Sequence, residues 1–177
     1  NIVDIHKINV KEVESAIGSL TSKFTAGPDG VPSFFVKDCG GVLAQPLCRI
    51  FNIIIQSGSF PNVWKVSRVT SILKSGNKSE ISNYRPIAII SIFSKVFEIV
   101  LHARLIRHIS GLLTESQHGF VQGRSTLTNL INTTQTISRV LDRSGQMDII
   151  YVDLSKAFDR LDYKILLEKL TSFGLSQ

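Results

Sequence analysis

An apolar run that ends abruptly in an acidic residue constrains the fold of this chain more than any other feature. Residues Ile149 to Val152 form the run, and Asp153 follows it directly. Such an uninterrupted run is typical of a strand inside a sheet, because both faces of that strand are buried. A carboxylate at the end of the strand is costly unless a hydrogen bond or a cation compensates it. The run therefore predicts a buried strand with a functional or capping aspartate at its end.

Asp153 is a candidate ligand for a divalent metal ion. The ends of strands are where open sheets place their ligands, and Mg²⁺ takes one or two carboxylates together with substrate phosphates. The alternative is that Asp153 only caps the following turn. Asp159 and Asp162 are interpreted as caps of the last helix, and Phe158 by default as a core aromatic residue.

The remaining pattern is mostly helical. Caps and apolar spacing of three and four residues predict five helices. The first is capped by Asn9, the second runs from about 42 to 56, and the third starts at Phe93. The fourth begins near Ser125, and the fifth extends from Tyr163 to Ser172. Strands are predicted at 66–73 and from Pro86 to Ile92, on either side of a polar loop, and a turn at Gly27–Gly30. The class is mixed α and β, with helices dominant.

Composition narrows the classes of function. The chain has 177 residues, 43% of them hydrophobic, which suffices for the core of one domain or two small subdomains. Its formal net charge of +6 favours an anionic partner. Cys39 and Cys48 are nine residues apart, and neither belongs to a CxxC motif or to a cluster of cysteine and histidine residues. The sequence therefore indicates neither a zinc site nor a disulfide framework. The sequence contains no long uncharged apolar run, and we expect no transmembrane span.

Two further stretches could bind phosphates. Between Lys65 and Arg85 the chain carries five basic residues and a single acidic one, Glu80, which would suit a finger that reaches for phosphates or an ordinary solvated hairpin. From Gln117 to Thr126, two glycines, an arginine and hydroxyl groups lead into a predicted helix, whose N-terminus could bind an anion.

Four blocks, taken in order, resemble a known series: Gly27–Gly30, Asn83–Ile87, Gln117–Thr126 and Tyr151–Asp159. The series is similar to the reverse transcriptase domain of non-LTR (LINE-type) retrotransposons, and more distantly to group II intron reverse transcriptases. The resemblance covers the chain from about Ile17 onward. It implies an α+β right-hand polymerase architecture, with fingers and first palm elements over about 1–145 and a palm strand with its following helix over about 146–177.

The resemblance also implies roles for single residues. Asp153 matches the first catalytic aspartate, which ligates both Mg²⁺ ions of a two-metal site, and the backbone carbonyl of Leu154 matches a further metal ligand. Arg85 matches the arginine that clamps the nucleotide triphosphate, assisted by Lys74 in the preceding loop. Phe158 matches the aromatic gate that excludes a ribose 2′-hydroxyl.

The block from Gln117 to Thr126 matches the segment that borders the template strand and the nascent base pair. Its candidate nucleic-acid contacts are Gln117, Gly119, Phe120 and Arg124. The implied partners are an RNA template, a DNA primer and a dNTP, without a membrane. Localisation follows only by family analogy, as nucleus and cytoplasm.

One departure limits what this chain can do. The family's second carboxylate motif, an aromatic residue followed after one position by two aspartates, is absent, and the residues after Asp159 are predicted to form a helix. We therefore expect a fragment of an RNA-directed DNA polymerase that is itself inactive. The alternative is a non-catalytic, basic nucleic-acid-binding remnant of a retroelement. A Mg²⁺-dependent phosphotransferase using Asp153 with Asp159 is disfavoured, because no phosphate-binding glycine loop accompanies the strand.

Overall fold

The computed structural model describes residues 7–154 and 157–175, so Ser155 and Lys156 of the fourth block lie outside the described residues. Backbone contacts divide the described chain into two units, one that ends at Leu105 and one that begins at Ile106.

The first unit contains most of the helices and the sheet. Its elements are α1 (Val10–Gly18), α2 (Ser33–Asp38), α3 (Gly40–Ser57), a 3₁₀ turn (Asn62–Trp64), β1 (Arg68–Leu73), a second 3₁₀ turn (Ile81–Asn83), β2 (Tyr84–Ile89) and the larger part of α4 (Ile92–Ile109). The helices were predicted within a few residues of these bounds. The sequence missed the short α2, which opens directly after Pro32.

Helix α1 begins where the sequence predicts. The Asn9 side chain accepts a hydrogen bond from the Glu12 amide at 3.0 Å, and the Glu12 carboxylate accepts one from the Asn9 amide at 2.9 Å. This reciprocal capping box satisfies two amide groups that the first helical turn leaves without partners. The carboxylate also forms an ion pair with Arg104 of α4 at 2.7 Å, which ties the two helices together.

The core of the first unit lies among α1, α3 and α4. Fully buried side chains include Ile17 of α1, Phe51 of α3 and Val96 of α4. Around Phe51, the rings of Phe60, Trp64 and Phe97 pack at tilted or edge-on angles, with centroids 5.1–6.4 Å apart. Cys48 is buried in the same core, and Cys39 is half-buried.

Strands β1 and β2 form an antiparallel hairpin, as predicted, although β1 begins at Arg68 rather than at 66 and β2 runs from Tyr84 to Ile89 rather than from Pro86 to Ile92. Arg68 pairs with Ile89 at one end and Leu73 with Tyr84 at the other. The ladder continues one residue further, because the Lys74 amide donates to the Asn83 carbonyl at 2.8 Å. The hairpin is therefore one regular element from its base at Arg68 to its loop.

The second unit contains a 3₁₀ turn (Ser110–Leu112), α5 (Thr126–Asp142) and α6 (Tyr163–Ser172). Ser125 caps α5 by accepting from the Thr128 amide at 3.2 Å. Asp162 caps α6 by accepting from the amides of Lys164 and Ile165 at 2.8 and 3.3 Å, as its position before the helix predicts. Asp159 lies three residues before this cap and is not the capping residue of α6, so its interpretation as a cap is wrong for this structure. None of the helices in the described residues is both long and apolar enough to cross a membrane.

The predicted strand at Ile149–Val152 is wrong for this structure. These residues have no regular secondary structure, and Ile150, Tyr151 and Val152 are between 81% and 86% exposed. A strand forms only where a neighbouring backbone satisfies its amide and carbonyl groups. Here β1 and β2 pair with each other, and no strand among the described residues pairs with this segment.

Candidate functional site

The hairpin presents its two candidate phosphate ligands on one face. Side chains alternate between the faces of a strand, and residues paired across two strands share a face. Ile72 pairs directly with Arg85, so Arg85 shares a face with Ile72 and with Lys74, two residues further along. Diagonal neighbours of this kind are about 7–8 Å apart at their Cα atoms. The register therefore places Lys74 and Arg85 at diagonal positions on one face of the hairpin.

This cationic hairpin face, defined by Lys74 and Arg85, is open to solvent. Both residues are exposed, and within the described chain neither forms an ion pair. Glu80, the acidic residue of the loop, accepts a hydrogen bond from the Asn83 side chain at 3.3 Å. A guanidinium fork beside an ammonium group is suited to bind the oxygens of a polyphosphate.

Side chains that the sequence analysis did not single out hold the hairpin loop in shape. The Asn83 side-chain amide donates to the Asn77 carbonyl at 2.9 Å, and the Tyr84 hydroxyl donates to the Lys78 carbonyl at 3.0 Å. Gly76 has a φ of 86°, and a Cβ there would lie 2.8 Å from the Asn83 side chain. The sequence indicates these roles, because an Asn side chain in a polar loop favours bonds to the backbone and Gly tolerates a positive φ.

Arg124, a predicted nucleic-acid contact, has a structural role in the second unit. Its Nη1 atom donates to the carbonyl oxygens of Thr114, Glu115 and Gln117 at 2.8, 2.9 and 2.6 Å. Gln117 in turn donates from its side chain to the Gly119 carbonyl at 3.0 Å. These bonds fold residues 114–119 around the arginine, so Arg124 and Gln117 shape this loop whether or not they also contact a ligand.

Phe120 is the residue of this loop that is best placed to contact a ligand. Its side chain is 96% exposed and its φ is 60°. A bulky residue in the left-handed region carries backbone strain, which persists only where the surrounding structure imposes it. An exposed aromatic ring provides a face on which a nucleic-acid base can stack.

His118 is a further residue that the sequence analysis did not single out. Its Nδ1 atom lies 2.9 Å from the Thr128 hydroxyl of α5. That hydroxyl also accepts from the Ser125 amide and donates to the Ser125 carbonyl, each at 2.8 Å. The Thr128 hydroxyl is thus shared between the His118 ring and the backbone of Ser125. His118 thereby joins the loop to the start of α5.

The acidic candidates lie in the irregular segment of the second unit. Asp153 is exposed, and the backbone of Leu154 follows it directly. A carboxylate and a backbone carbonyl are hard oxygen donors, the kind that Mg²⁺ prefers. Two donors leave most of the octahedral shell to substrate phosphates and water. Within the described residues, no three histidine, cysteine, aspartate or glutamate side chains come together as a metal site.

Phe158 is not a core residue. Its side chain is 83% exposed, so the default interpretation of a buried aromatic is wrong for this structure. Among the candidates, the structure brings Lys74 and Arg85 together on the cationic hairpin face. The other candidates lie in the second unit, where Gln117, Gly119 and Arg124 form one connected loop.

Comparison with known proteins points to one family. A family model described as reverse transcriptase (RNA-dependent DNA polymerase) matches residues 72–177. Over 169 residues the chain is 32% identical to a protein of Drosophila melanogaster named "Probable RNA-directed DNA polymerase from transposon BS". The aligned region covers 94% of this chain and 19% of the relative.

Two further relatives from the same fly are also named RNA-directed DNA polymerases. The chain is 32% identical over 153 residues to "Probable RNA-directed DNA polymerase from transposon X-element", covering 85% of this chain and 17% of the relative. It is 24% identical over 165 residues to "RNA-directed DNA polymerase from mobile element jockey", covering 92% and 18%. The chain thus spans less than a fifth of the length of these relatives.

Proposed function

Because the chain belongs to the reverse transcriptase (RNA-dependent DNA polymerase) family, we propose that it supplies the fingers and first palm elements of a longer RNA-directed DNA polymerase of a non-LTR retrotransposon. The observation that carries the proposal is the cationic hairpin face, where the register sets Lys74 beside Arg85 inside the matched segment. In this assignment residues up to about 145 form the fingers and first palm elements. The segment from about 146 forms the first catalytic part of the palm.

The proposed reaction is the templated extension of a DNA primer on an RNA template. The primer 3′-oxygen forms a bond to the α-phosphorus of a dNTP, and the bond from that phosphorus to pyrophosphate breaks. Arg85 binds the leaving phosphates through its fork and Lys74 adds a second charge, so the hairpin orients the triphosphate. Phe158 lies against the incoming sugar and excludes a 2′-hydroxyl. Phe120 stacks beside the template strand.

Asp153 and the Leu154 carbonyl are the proposed holders of Mg²⁺, which supplies charge neutralisation at the reacting phosphate. Their donor atoms would suit the ion in kind, since Mg²⁺ prefers hard oxygen ligands. We further propose that residues Ile149 to Val152 become a strand when a palm strand pairs with them. Their continuous apolar character is typical of a strand buried on both faces.

We predict that the 177-residue chain alone does not extend a primer. A two-metal site needs carboxylates that converge from more than one strand, and Asp153 alone does not provide them. The assay is incubation of the purified chain with a DNA primer on an RNA template, Mg²⁺ and dNTPs. A longer polymerase that carries this segment is the positive control. Extension by the 177-residue chain, lost in Asp153→Asn, would show that the proposal of inactivity is wrong.

In the longer polymerase, Arg85→Ala should raise KM for dNTPs about 10- to 100-fold, because each charge-assisted hydrogen bond contributes about 1.5–3 kcal/mol. Arg85→Lys should raise KM less, since the charge remains and the fork is lost. The matched control is Arg49→Ala, an exposed arginine of α3 in the same unit. Steady-state kinetics check the prediction, and an unchanged KM in Arg85→Ala would remove Arg85 from the triphosphate site.

The alternative function is a non-catalytic nucleic-acid-binding remnant. The solvent-exposed cations of the hairpin and the exposed ring of Phe120 would suffice for binding through phosphates and base stacking. Salt-sensitive RNA binding is expected from either function, so it does not separate them. The longer chain does: if it stays inert with Asp153 intact, the remnant is the correct assignment.

A further inference from the structure

The turn at Gly27–Gly30 lies at the root of the hairpin, the end where β1 begins and β2 ends, and forms hydrogen bonds there with residues at both of these points. Arg68, the first residue of β1, donates from Nη2 to the Gly27 carbonyl at 3.2 Å. Ser91, two residues after the end of β2, donates from its hydroxyl to the Asp29 carboxylate at 2.5 Å. One turn thus binds the point where the hairpin begins and the point where it ends.

The fit of this turn against the hairpin root is close. A Cβ at Gly27 would lie 2.4 Å from the Ile90 carbonyl oxygen and 2.8 Å from its carbonyl carbon, so no other residue fits without a shift of the backbone. The second carboxylate oxygen of Asp29 accepts from the Val31 amide at 3.1 Å. Ser91 is only 2% exposed, and its hydroxyl also accepts from the Phe93 amide in the first turn of α4 at 3.3 Å.

Apolar packing contributes little to the direction of the hairpin. In β1 only Leu73 is partly buried, and in β2 only Tyr84 and Ile89 are; the other strand residues are exposed. Apolar packing orients most strands of a protein, and here it holds little of either face. The polar contacts of Gly27 and Asp29, together with the chain connections at the two ends of the hairpin, therefore restrain the angle at which the hairpin leaves the core.

We propose that Asp29 and Gly27 are positioning residues for nucleotide binding, which hold the hairpin at the angle that brings Lys74 and Arg85 to the triphosphate. This inference rests on the function proposed above. Lys74 is six residues from Arg68, or about 20 Å at about 3.4 Å per residue, and Arg85 lies opposite Ile72, about 14 Å from the root. A tilt of about 5° at the root therefore moves Lys74 by about 1.7 Å and Arg85 by about 1.2 Å. Charge-assisted hydrogen bonds to phosphate oxygens form at about 2.7–2.9 Å, so a cation moved by more than about 1 Å loses them and binds the triphosphate more weakly.

The first test measures the hairpin directly in the 177-residue chain. In Asp29→Ala, amide residual dipolar couplings of β1 and β2 should shrink relative to those of α1 and α3, because the hairpin samples more orientations. Ser91→Ala, which removes the other partner, should have the same effect, and the double variant should add nothing further. The control is Asp38→Ala, an exposed aspartate of α2 in the same unit. Couplings of the hairpin that stay unchanged in both Asp29→Ala and Ser91→Ala overturn the proposal.

The second test separates positioning from simple stability. In the longer polymerase, Asp29→Ala should raise KM for dNTPs about 10-fold with kcat within about twofold, and Asp29→Asn, which keeps one oxygen acceptor, should recover part of the loss. Combined with Arg85→Ala, the Asp29 substitution should add little. Smaller couplings with an unchanged KM would overturn the positioning role. An unchanged KM in Arg85→Ala itself would show that the proposed triphosphate site is wrong. The residual dipolar couplings would still show whether the turn restrains the hairpin.

Discussion

Replacing Asp153 with asparagine should reduce primer extension by a longer polymerase that carries this segment about 1,000-fold or more, equal to about 4 kcal/mol of activation free energy. Asparagine keeps the size of the side chain and one oxygen, but it removes the negative charge that holds Mg²⁺. Because Asp153 is exposed and its side chain has no hydrogen-bond partner among the described residues, its replacement should not disturb the fold. Single-turnover extension of a DNA primer on an RNA template measures the effect.

Two comparisons make this result specific to Asp153. Asp148→Asn changes an exposed aspartate of the same irregular segment and should leave extension within about twofold, as surface substitutions usually do. RNA binding by Asp153→Asn should stay close to that of the unmodified protein, since the hairpin cations are untouched. Extension at more than a tenth of the normal rate in Asp153→Asn would remove this residue from the metal site.

Replacing Phe158 with valine should let the longer polymerase accept ribonucleotides about 10- to 100-fold more readily relative to deoxynucleotides. The proposed discrimination arises from a clash between the ring and a 2′-hydroxyl, and a steric difference of a few atoms is typically worth about 1–3 kcal/mol. The ring is exposed, so the smaller side chain leaves no cavity in the core. The measurement is kcat/KM for a matched dNTP and rNTP pair.

Phe24→Val is the matched control, because Phe24 is another highly exposed phenylalanine and should not influence the choice of sugar. The ratio of kcat/KM values for the two nucleotides should therefore change only in Phe158→Val. An unchanged ratio in that variant would mean that Phe158 does not contact the sugar.

The parts of the fold that depend on neighbours in sequence were predictable. The caps of α1 and α6 follow from Asn9 and Asp162, because a short polar side chain before an apolar periodic run satisfies the first amides of a helix. The hairpin follows from two apolar runs around a polar loop. The register of the hairpin then places Lys74 and Arg85 on one face.

The parts that depend on distant residues were not predictable. The contact of Asp29 with Ser91 joins residues 62 positions apart, and no periodicity indicates such a pair. The three carbonyl contacts of Arg124 are local, 7 to 10 positions away, and were missed for another reason: a guanidinium group binds a turn as readily as a phosphate. The strand at Ile149–Val152 was predicted from composition, but strand formation requires a partner that composition does not supply.

Iron-mediated cleavage of the longer polymerase tests most directly whether Asp153 anchors Mg²⁺. Fe²⁺ replaces Mg²⁺ in the complex with primer, template and dNTP, and with ascorbate and hydrogen peroxide it generates radicals that cut the nearby backbone. We predict cuts next to Asp153 that are lost in Asp153→Asn and kept in Asp148→Asn. An absence of cuts near Asp153, or cuts there that persist in Asp153→Asn, would contradict this role of Asp153.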